Sequence, residues 1–192
     1  MDYRLDVEDT PDSIPGGTGV LLIHPSTGET DRIDTDFLKE DTDRFLVIST
    51  RTTAREVEQK LEHYDVDRSR ATILDALSVE RGYSRRSGEG IHYVASPDDL
   101  DGIVEVTEEF LASHEGKLRV SVDSVTEMAY YADEDRARSA VEDVLSLLDE
   151  HGAVGLFHLA EEVHDEGVLS GYRELFNGTI TLAEDGSVRG EF

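Results

Sequence analysis

The chain has 192 residues, which favours a single domain, and 38 % of them are hydrophobic, which is enough to build a core. Its 44 acidic and 18 basic residues give a net charge of −26 at pH 7, and this charge argues against a general nucleic-acid-binding surface because phosphates would meet a surface of like charge. There is no cysteine, which excludes disulfides, thiolate zinc sites and cysteine nucleophiles, and no apolar run reaches the roughly 18 residues of a membrane span.

Short apolar runs alternate with helical patterns along the chain. Strands are predicted at residues 18–24, 44–50, 71–77, 117–122 and 153–159, and a C-terminal hairpin at 178–183 and 187–192. Helices are predicted at 53–64, 98–114 and 134–151, with a short one near 169–176. Strands that alternate with helices indicate βαβ units. The expected fold is therefore α/β: a three-layer sandwich with a mostly parallel central sheet, helices on both faces and a C-terminal β-hairpin at one edge.

The domain organisation follows from the same pattern. Residues 1–13 are acidic and are interpreted as an N-terminal extension, and residues 14–192 as a single domain. The stretch at about 80–90 combines three glycines with three arginines, which is typical of a mobile loop.

Three segments resemble the RecA/KaiC superfamily of P-loop ATPases. Residues 15–23 (PGGTGVLLI) are similar to that family's entry into its first core strand. Residues 118–124 (LRVSVDS) resemble its Walker B strand, and residues 176–182 (FNGTITL) its C-terminal strand entry. The resemblance covers the chain from about residue 14 to its end and implies a RecA-like fold.

The segment at the position of the phosphate-binding loop departs from the family's pattern. A P-loop has the sequence G-x-x-x-x-G-K-[ST], in which the lysine neutralises phosphate charge and the hydroxyl holds Mg²⁺. In residues 23–30 (IHPSTGET), Ile23 stands at the first glycine, Pro25 lacks an N–H donor and Glu29 stands where lysine belongs. Gly28 and Thr30 remain in register.

A second part of the family's machinery is also absent from the sequence. The resemblance places a catalytic glutamate just after the second core strand, but residues 47–51 (VISTR) end this strand and the next acid is Glu56. We therefore expect no catalytic residue and no bound cofactor, although ATP and Mg²⁺ remain open. The candidate degenerate nucleotide site consists of Ser26, Thr27, Gly28, Glu29, Thr30, Arg51, Asp123 and Ser124.

Basic residues are concentrated in one part of the chain. Residues 44–92 carry nine basic and eight acidic side chains, whereas the remainder is strongly acidic. Arginines next to aromatic side chains suit phosphate, nucleic acid or an acidic protein partner, while pairing with neighbouring carboxylates is the structural alternative. The candidate partner-binding residues are Arg81, Tyr83, Arg85 and Arg86.

The kind of charge suggests a salt-adapted source. The basic residues are 15 arginines and only 3 lysines. In a molar-salt cytoplasm the Debye length falls to roughly 3 Å, which screens the repulsion between carboxylates. We expect a cytoplasmic protein of a halophilic archaeon.

These observations favour a catalytically inactive RecA/KaiC-like regulatory or scaffolding protein that acts through a protein partner or a homo-oligomer. One alternative is a weak ATP-binding sensor or an ATPase with an atypical P-loop. Another is a transcriptional regulator that uses the arginine-rich loop, although nucleic acid is an unfavoured partner. No metal site is expected, because His158 and His164 are six residues apart, which does not suit a zinc pair on one helix face.

Overall fold

The computed structural model describes residues 1–85 and 88–192, so Arg86, one of the predicted partner-binding residues, lies outside the described residues. In the described part of the chain, the strands are β1 (Asp2–Arg4), β2 (Ser13–Pro15), β3 (Gly19–His24), β4 (Arg44–Ser49), β5 (Ala71–Asp75), β6 (Ile91–Tyr93), β7 (Leu118–Asp123), β8 (Val154–Ala160), β9 (Gly178–Leu182) and β10 (Val188–Glu191). The α-helices there are α1 (Asp31–Lys39), α2 (Ala54–His63), α3 (Leu100–Ser113), α4 (Val125–Tyr131), α5 (Glu134–His151) and α6 (Glu166–Leu175). Short 3₁₀ turns occur at Arg68–Arg70 and Glu161–Val163.

Eight strands within the described residues form one central sheet in the order β10-β9-β3-β8-β7-β4-β5-β6. Neighbouring strands are parallel, except that β9 and β10 form an antiparallel hairpin at the edge. β1 and β2 form a separate antiparallel pair. The prediction of an α/β fold with a mostly parallel sheet and a C-terminal β-hairpin is confirmed.

The core has two halves because successive side chains of a strand point to opposite faces of the sheet. On one face, Leu21 and Ile23 of β3 pack with apolar residues of α3, α4, α5 and α6. On the other face, Val20 and Leu22 pack with residues of α1 and α2. Full burial of side chains of this size contributes about 1.5–3 kcal/mol each, so the helices are held mainly by these faces.

The predicted helices are present, with local signals at their ends. Thr53 and Glu56 form a reciprocal capping box at the start of α2, and Gly152 ends α5 in the left-handed region with φ +61°. At the start of α3, Asp99 is the N-cap and accepts a hydrogen bond from the Gly102 N–H.

Five strands and α-helices of the described residues were not predicted: β1, β2, α1, α4 and β6. The buried side of α1 includes Asp34 and Thr35 beside Ile33, Phe37 and Leu38, so its apolar stripe is short. α4 has only seven residues, and β6 has three at the edge of the sheet. Short elements carry too few residues to show a periodic pattern.

The N-terminal segment, interpreted from sequence as an acidic extension, packs against the sheet. Tyr3, Leu5 and Val7 are part of the core beside α1 and α2. The Tyr3 hydroxyl donates to the Gly152 carbonyl oxygen at 3.0 Å. The buried guanidinium of Arg119 lies between the rings of Tyr3 and Phe37, 5.3 and 5.0 Å from their centroids.

Candidate functional site

Five neighbouring parallel strands end on the same side of the sheet: β3, β8, β7, β4 and β5. We call this row of strand ends the C-terminal edge of the sheet, as distinct from its outer strands. Open α/β sheets bind their ligands at this edge. The residues of the predicted nucleotide site lie at this edge, in the loop after β3, the loop after β4 and the end of β7. The structure therefore brings these three segments together.

The loop from Pro25 to Thr30 connects β3 to α1. The Gly28 N–H donates to the Pro25 carbonyl oxygen at 2.8 Å and closes a turn. The Ser26 N–H and hydroxyl both donate to Oε1 of Glu162, at 2.9 and 2.8 Å. Several donors of this loop are thus already used within the chain.

The other loop residues differ in exposure. Thr27 and Glu29 are exposed and border open clefts beside the loop. Thr30 is buried at the start of α1, and its hydroxyl makes no capping hydrogen bond within the described residues. The Glu162 carboxylate accepts hydrogen bonds from the backbone N–H of Glu162 and from Ser26, and these bonds hold the pKa of Glu162 below its usual value.

Arg51 and Asp123 form a bidentate ion pair at the centre of the site. Arg51 Nε lies 2.7 Å from Asp123 Oδ1, and its Nη2 lies 3.1 Å from Oδ2. The carboxylate is almost fully buried, whereas the guanidinium is about one-third exposed. Burial would raise the pKa of Asp123, but the nearby His158 and Arg51 outweigh it and hold the pKa below its usual value.

Thr50 and Ser124 fix the chain around this pair. Ser124 N–H donates to the Thr50 hydroxyl oxygen at 2.7 Å, and Thr50 N–H donates to the Asp123 carbonyl oxygen at 2.8 Å. The Ser124 hydroxyl accepts a hydrogen bond from Glu127 N–H as the N-cap of α4. The peptide bond between Asp123 and Ser124 is cis. Both the backbone N–H and the hydroxyl of Ser124, a predicted site residue, are therefore hydrogen-bonded within the chain.

A second ionic cluster, which the sequence did not predict, joins side chains of α1, α2, β7 and β8. Asp34 of α1 is fully buried, and its Oδ2 lies 2.7 Å from Lys60 Nζ of α2. Its Oδ1 accepts from the Ser121 hydroxyl and lies 3.0 Å from His158 Nε2. Burial would raise the pKa of Asp34, but the Lys60 charge and the His158 hydrogen bond place it well below its usual value.

His158 connects the two carboxylates. Its Nε2 faces Asp34, and its Nδ1 lies 3.9 Å from Asp123 Oδ1. β8 continues to Ala160, so His158 lies inside the strand. The His24 ring packs edge-on against it with centroids 5.8 Å apart. Burial lowers the pKa of His24.

The predicted partner-binding residues that the structure describes follow β5, which ends at the same edge of the sheet. Arg81, Tyr83 and Arg85 are exposed, and neither arginine forms an ion pair within residues 1–85 and 88–192. Arg68 differs, because its Nε pairs with Glu58 Oε1 at 3.0 Å. Among the arginines that the structure describes, only part of this cluster is therefore neutralised by the chain itself.

Among the described residues, no group of three or more histidine, aspartate or glutamate side chains is arranged to hold a metal ion. None of the helices in the same part of the chain has both the length and the apolar character needed to cross a membrane.

The sequence profile of the "Family of unknown function (DUF7090)" matches residues 1–192. The chain belongs to this family. None of the curated proteins is significantly similar to this DUF7090 chain in sequence.

Solved structures with the same fold include two from Pyrococcus horikoshii. The KaiC-like protein PH0186 of strain OT3 is 16 % identical, with a TM-score of 0.66 over 89 % of the DUF7090 chain and 74 % of its own. The uncharacterised protein PH0321, solved in complex with an unknown peptide, is 13 % identical, with a TM-score of 0.64 over 92 % and 83 %.

A bacterial enzyme also shares the fold. A prototypical ATPase from the type III secretion system of pathogenic bacteria is 13 % identical, with a TM-score of 0.60 over 90 % of the DUF7090 chain and 53 % of its own. At these identities the likenesses establish the KaiC-like, RecA-like fold alone.

The site contains residues that sequence reasoning did not assign, among them Asp34, Lys60 and Glu162. The first has a detectable signal, because a carboxylate at the apolar spacing of Ile33, Phe37 and Leu38 implies a buried partner. Lys60 is one of only three lysines in an arginine-rich chain, which is a weaker signal. The DUF7090 sequence contains no signal for the hydrogen bonds between Glu162 and Ser26.

Proposed function

We propose that this chain is a catalytically inactive KaiC/RecA-like regulatory or scaffolding protein that acts through protein contacts in a high-salt cytoplasm. The ion pair between Arg51 and Asp123 is the observation that carries the proposal. Asp123 ends the strand that resembles the Walker B strand, where a carboxylate would help to hold Mg²⁺. Here its two oxygens bind a guanidinium of the same chain.

The residues present do not fit Mg-ATP at this ion pair. A cation at Asp123 would have to displace Arg51 and leave its guanidinium without a carboxylate. Removing one partner of a largely buried ion pair is unfavourable, because the other charge loses its compensation. Arg51 thus acts as an internal substitute for the cation, and it does so without binding a ligand.

The loop after β3 supports the proposal independently. Anion-binding loops use free backbone N–H groups, but Pro25 has none and those of Ser26 and Gly28 are bonded within the chain. The Glu162 carboxylate already binds Ser26 in the manner of a bound anion.

Glu29 adds a charge of the wrong sign. Two like charges 4 Å apart repel by about 4 kcal/mol at an effective dielectric of about 20. A lysine at this position would instead attract phosphate by a similar amount. The exposed Glu29 therefore opposes a polyphosphate in the loop.

The high-salt setting is supported by the net charge of −26 and by 15 arginines against 3 lysines. We propose a halophilic archaeon as the source, with a cytoplasmic location. At this net charge, self-repulsion opposes folding unless salt screens it.

A weak ATP-binding sensor is the second candidate, and one cleft favours it. An open cleft of about 740 Å³ lies between the loop and α2, bordered by Gly28, Thr30, Arg51 and Lys60. It also contains the carboxylates of Glu29, Asp31 and Glu56, which oppose a triphosphate. We therefore place this candidate second.

Titration of the full chain with Mg-ATP and Mg-ADP by calorimetry in molar KCl tests the proposal. We expect no binding heat for the wild type. The variant Glu29→Lys/Glu162→Gln leaves the ion pair in place and should also fail to bind. Adding Arg51→Ser should yield weak binding if the chain retains its far-UV circular dichroism spectrum.

Micromolar binding by the wild type would favour the sensor, and turnover would overturn the proposal. Binding by the Glu29→Lys/Glu162→Gln variant would contradict the role of the ion pair, because the loop alone would then be the obstacle.

A further inference from the structure

Apart from the terminal residues, the large exposed apolar side chains that the structure describes follow strands at the C-terminal edge of the sheet. Among the residues that the structure describes, six large apolar side chains are exposed, and two of these are the terminal residues. The other four are Val79, Tyr83, Tyr130 and Val163, with exposed fractions of 37, 54, 78 and 55 %. Each lies in a segment that begins at the C-terminal end of β5, β7 or β8.

These segments belong to neighbouring strands. β8, β7, β4 and β5 are consecutive in the sheet, and at about 4.8 Å between strands they span about 14 Å. Single exposed apolar side chains are ordinary on a protein surface, whereas several of them along one edge indicate a contact surface. Tyrosine is also among the residues enriched at protein interfaces.

The charges along this edge are polarised. At the β5 end, Arg81 and Arg85 flank Tyr83, and both are exposed with no ion pair in the described part of the chain. The exposed Glu80 lies next to Arg81, so residues 79–85 carry two positive charges and one negative charge. At the β8 end, Glu161 and Asp165 flank Val163 and are also exposed. One end of the edge therefore has a net positive charge and the other a net negative charge, and each end also has an exposed apolar side chain.

A surface with opposite charges at its two ends is complementary to itself after a two-fold rotation. We infer that the C-terminal edge of the sheet is the contact surface of a homodimer, in which the Arg81–Arg85 segment of one copy docks beside Glu161 and Asp165 of the other. The inference deepens the proposed role in protein contacts by naming a second copy as a partner. It does not depend on whether the chain binds nucleotide.

The dimer is tested by sedimentation of the full chain at the lowest KCl concentration that keeps it folded. Variant A is Arg81→Glu/Arg85→Glu, which makes both ends of the edge acidic. Variant B is Glu161→Arg/Asp165→Arg, which makes both ends basic. The control Arg138→Glu/Arg189→Glu has the same charge change as variant A at exposed arginines of α5 and β10.

We expect the wild type and the control to form dimers. Variants A and B should each dissociate, with dissociation constants raised at least about tenfold by like charges facing each other. An equimolar mixture of A and B should form heterodimers, because the acidic ends of A then face the basic ends of B.

A monomeric wild type would overturn the inference, as would an oligomer that both variants leave intact. Failure of A and B to associate, when each has a native circular dichroism spectrum, would also overturn it. These outcomes leave the proposed loss of ATPase activity untouched, just as Mg-ATP binding by the wild type would leave the dimer untouched.

Discussion

Lys60 and Asp34 form an ion pair that is nearly closed to solvent, with Nζ 2.7 Å from Oδ2. Asp34 comes from α1 and Lys60 from α2, so the pair joins the two helices that cover one face of the sheet. Although burial favours the neutral amine, the carboxylates of Asp34 and Asp123 hold the pKa of Lys60 above its usual value. Both groups are therefore charged at neutral pH.

Substitution of Asp34 by asparagine should destabilise the protein strongly. Lys60 would remain buried without a counter-charge, and breaking such a pair costs about 3–5 kcal/mol. The free energy of unfolding is measured by urea denaturation in molar KCl. Asp31→Asn, at an exposed position in the same helix, should cost less than about 1 kcal/mol. Equal losses for the two variants would contradict the structural role of the pair.

Acid should remove the contribution of the two buried carboxylates. The pKa values of Asp34 and Asp123 in the folded protein lie below the value of about 3.9 for unfolded aspartate. Their contribution to the free energy of unfolding is therefore complete above about pH 5, and it is lost as the pH falls through the unfolded value towards the lower folded values. Urea denaturation of the wild type and of Asp34→Asn from pH 7 to pH 3 measures it.

The difference between those two proteins should shrink towards acid pH. Molar KCl keeps the surface carboxylates screened, so that their neutralisation does not mask the effect. A difference that is constant down to pH 3 would contradict the low pKa of Asp34.

The ion pair at the centre of the site should show strong coupling between Arg51 and Asp123. Arg51→Met and Asp123→Asn each remove charged hydrogen bonds of about 1.5–3 kcal/mol. The double variant should cost less than the sum of the single variants, because the interaction is lost only once. Arg138→Met breaks an exposed pair with Glu142 and should cost less than about 1 kcal/mol. Additive losses for Arg51 and Asp123 would contradict the coupling.

Stability should rise with KCl. The net charge of −26 produces repulsion that salt screens, since the Debye length falls from about 10 Å at 0.1 M to about 3 Å at 1 M. Thermal unfolding from 0.1 to 3 M KCl measures the effect as a rising Tm. Full stability in dilute buffer would remove the argument for a high-salt cytoplasm.

The fold was predictable from sequence because its long elements have clear patterns. The strand at Arg44–Ser49 is a continuous apolar run, and α5 repeats apolar residues at helical spacing. α1 was missed because its buried side contains Asp34, which does not count as apolar in such a pattern. A buried carboxylate becomes intelligible only when its partners from other elements are known.

The site was predictable in its parts but not in its pairing. Glu29 and the absence of a lysine are local features that the sequence shows directly. The bond between Arg51 and Asp123 joins residues 72 positions apart, and only the adjacency of β4 and β7 brings them together. Sequence reasoning named both residues as parts of a nucleotide site, whereas the structure pairs them with each other.

A crystal of this protein soaked with Mg-ATP tests the central claim most directly. The account predicts no nucleotide density at residues 25–30, the two hydrogen bonds between Arg51 and Asp123 intact and Glu162 still bonded to Ser26. Triphosphate density in that loop, with Arg51 turned away from Asp123 and a cation beside the carboxylate, would contradict it.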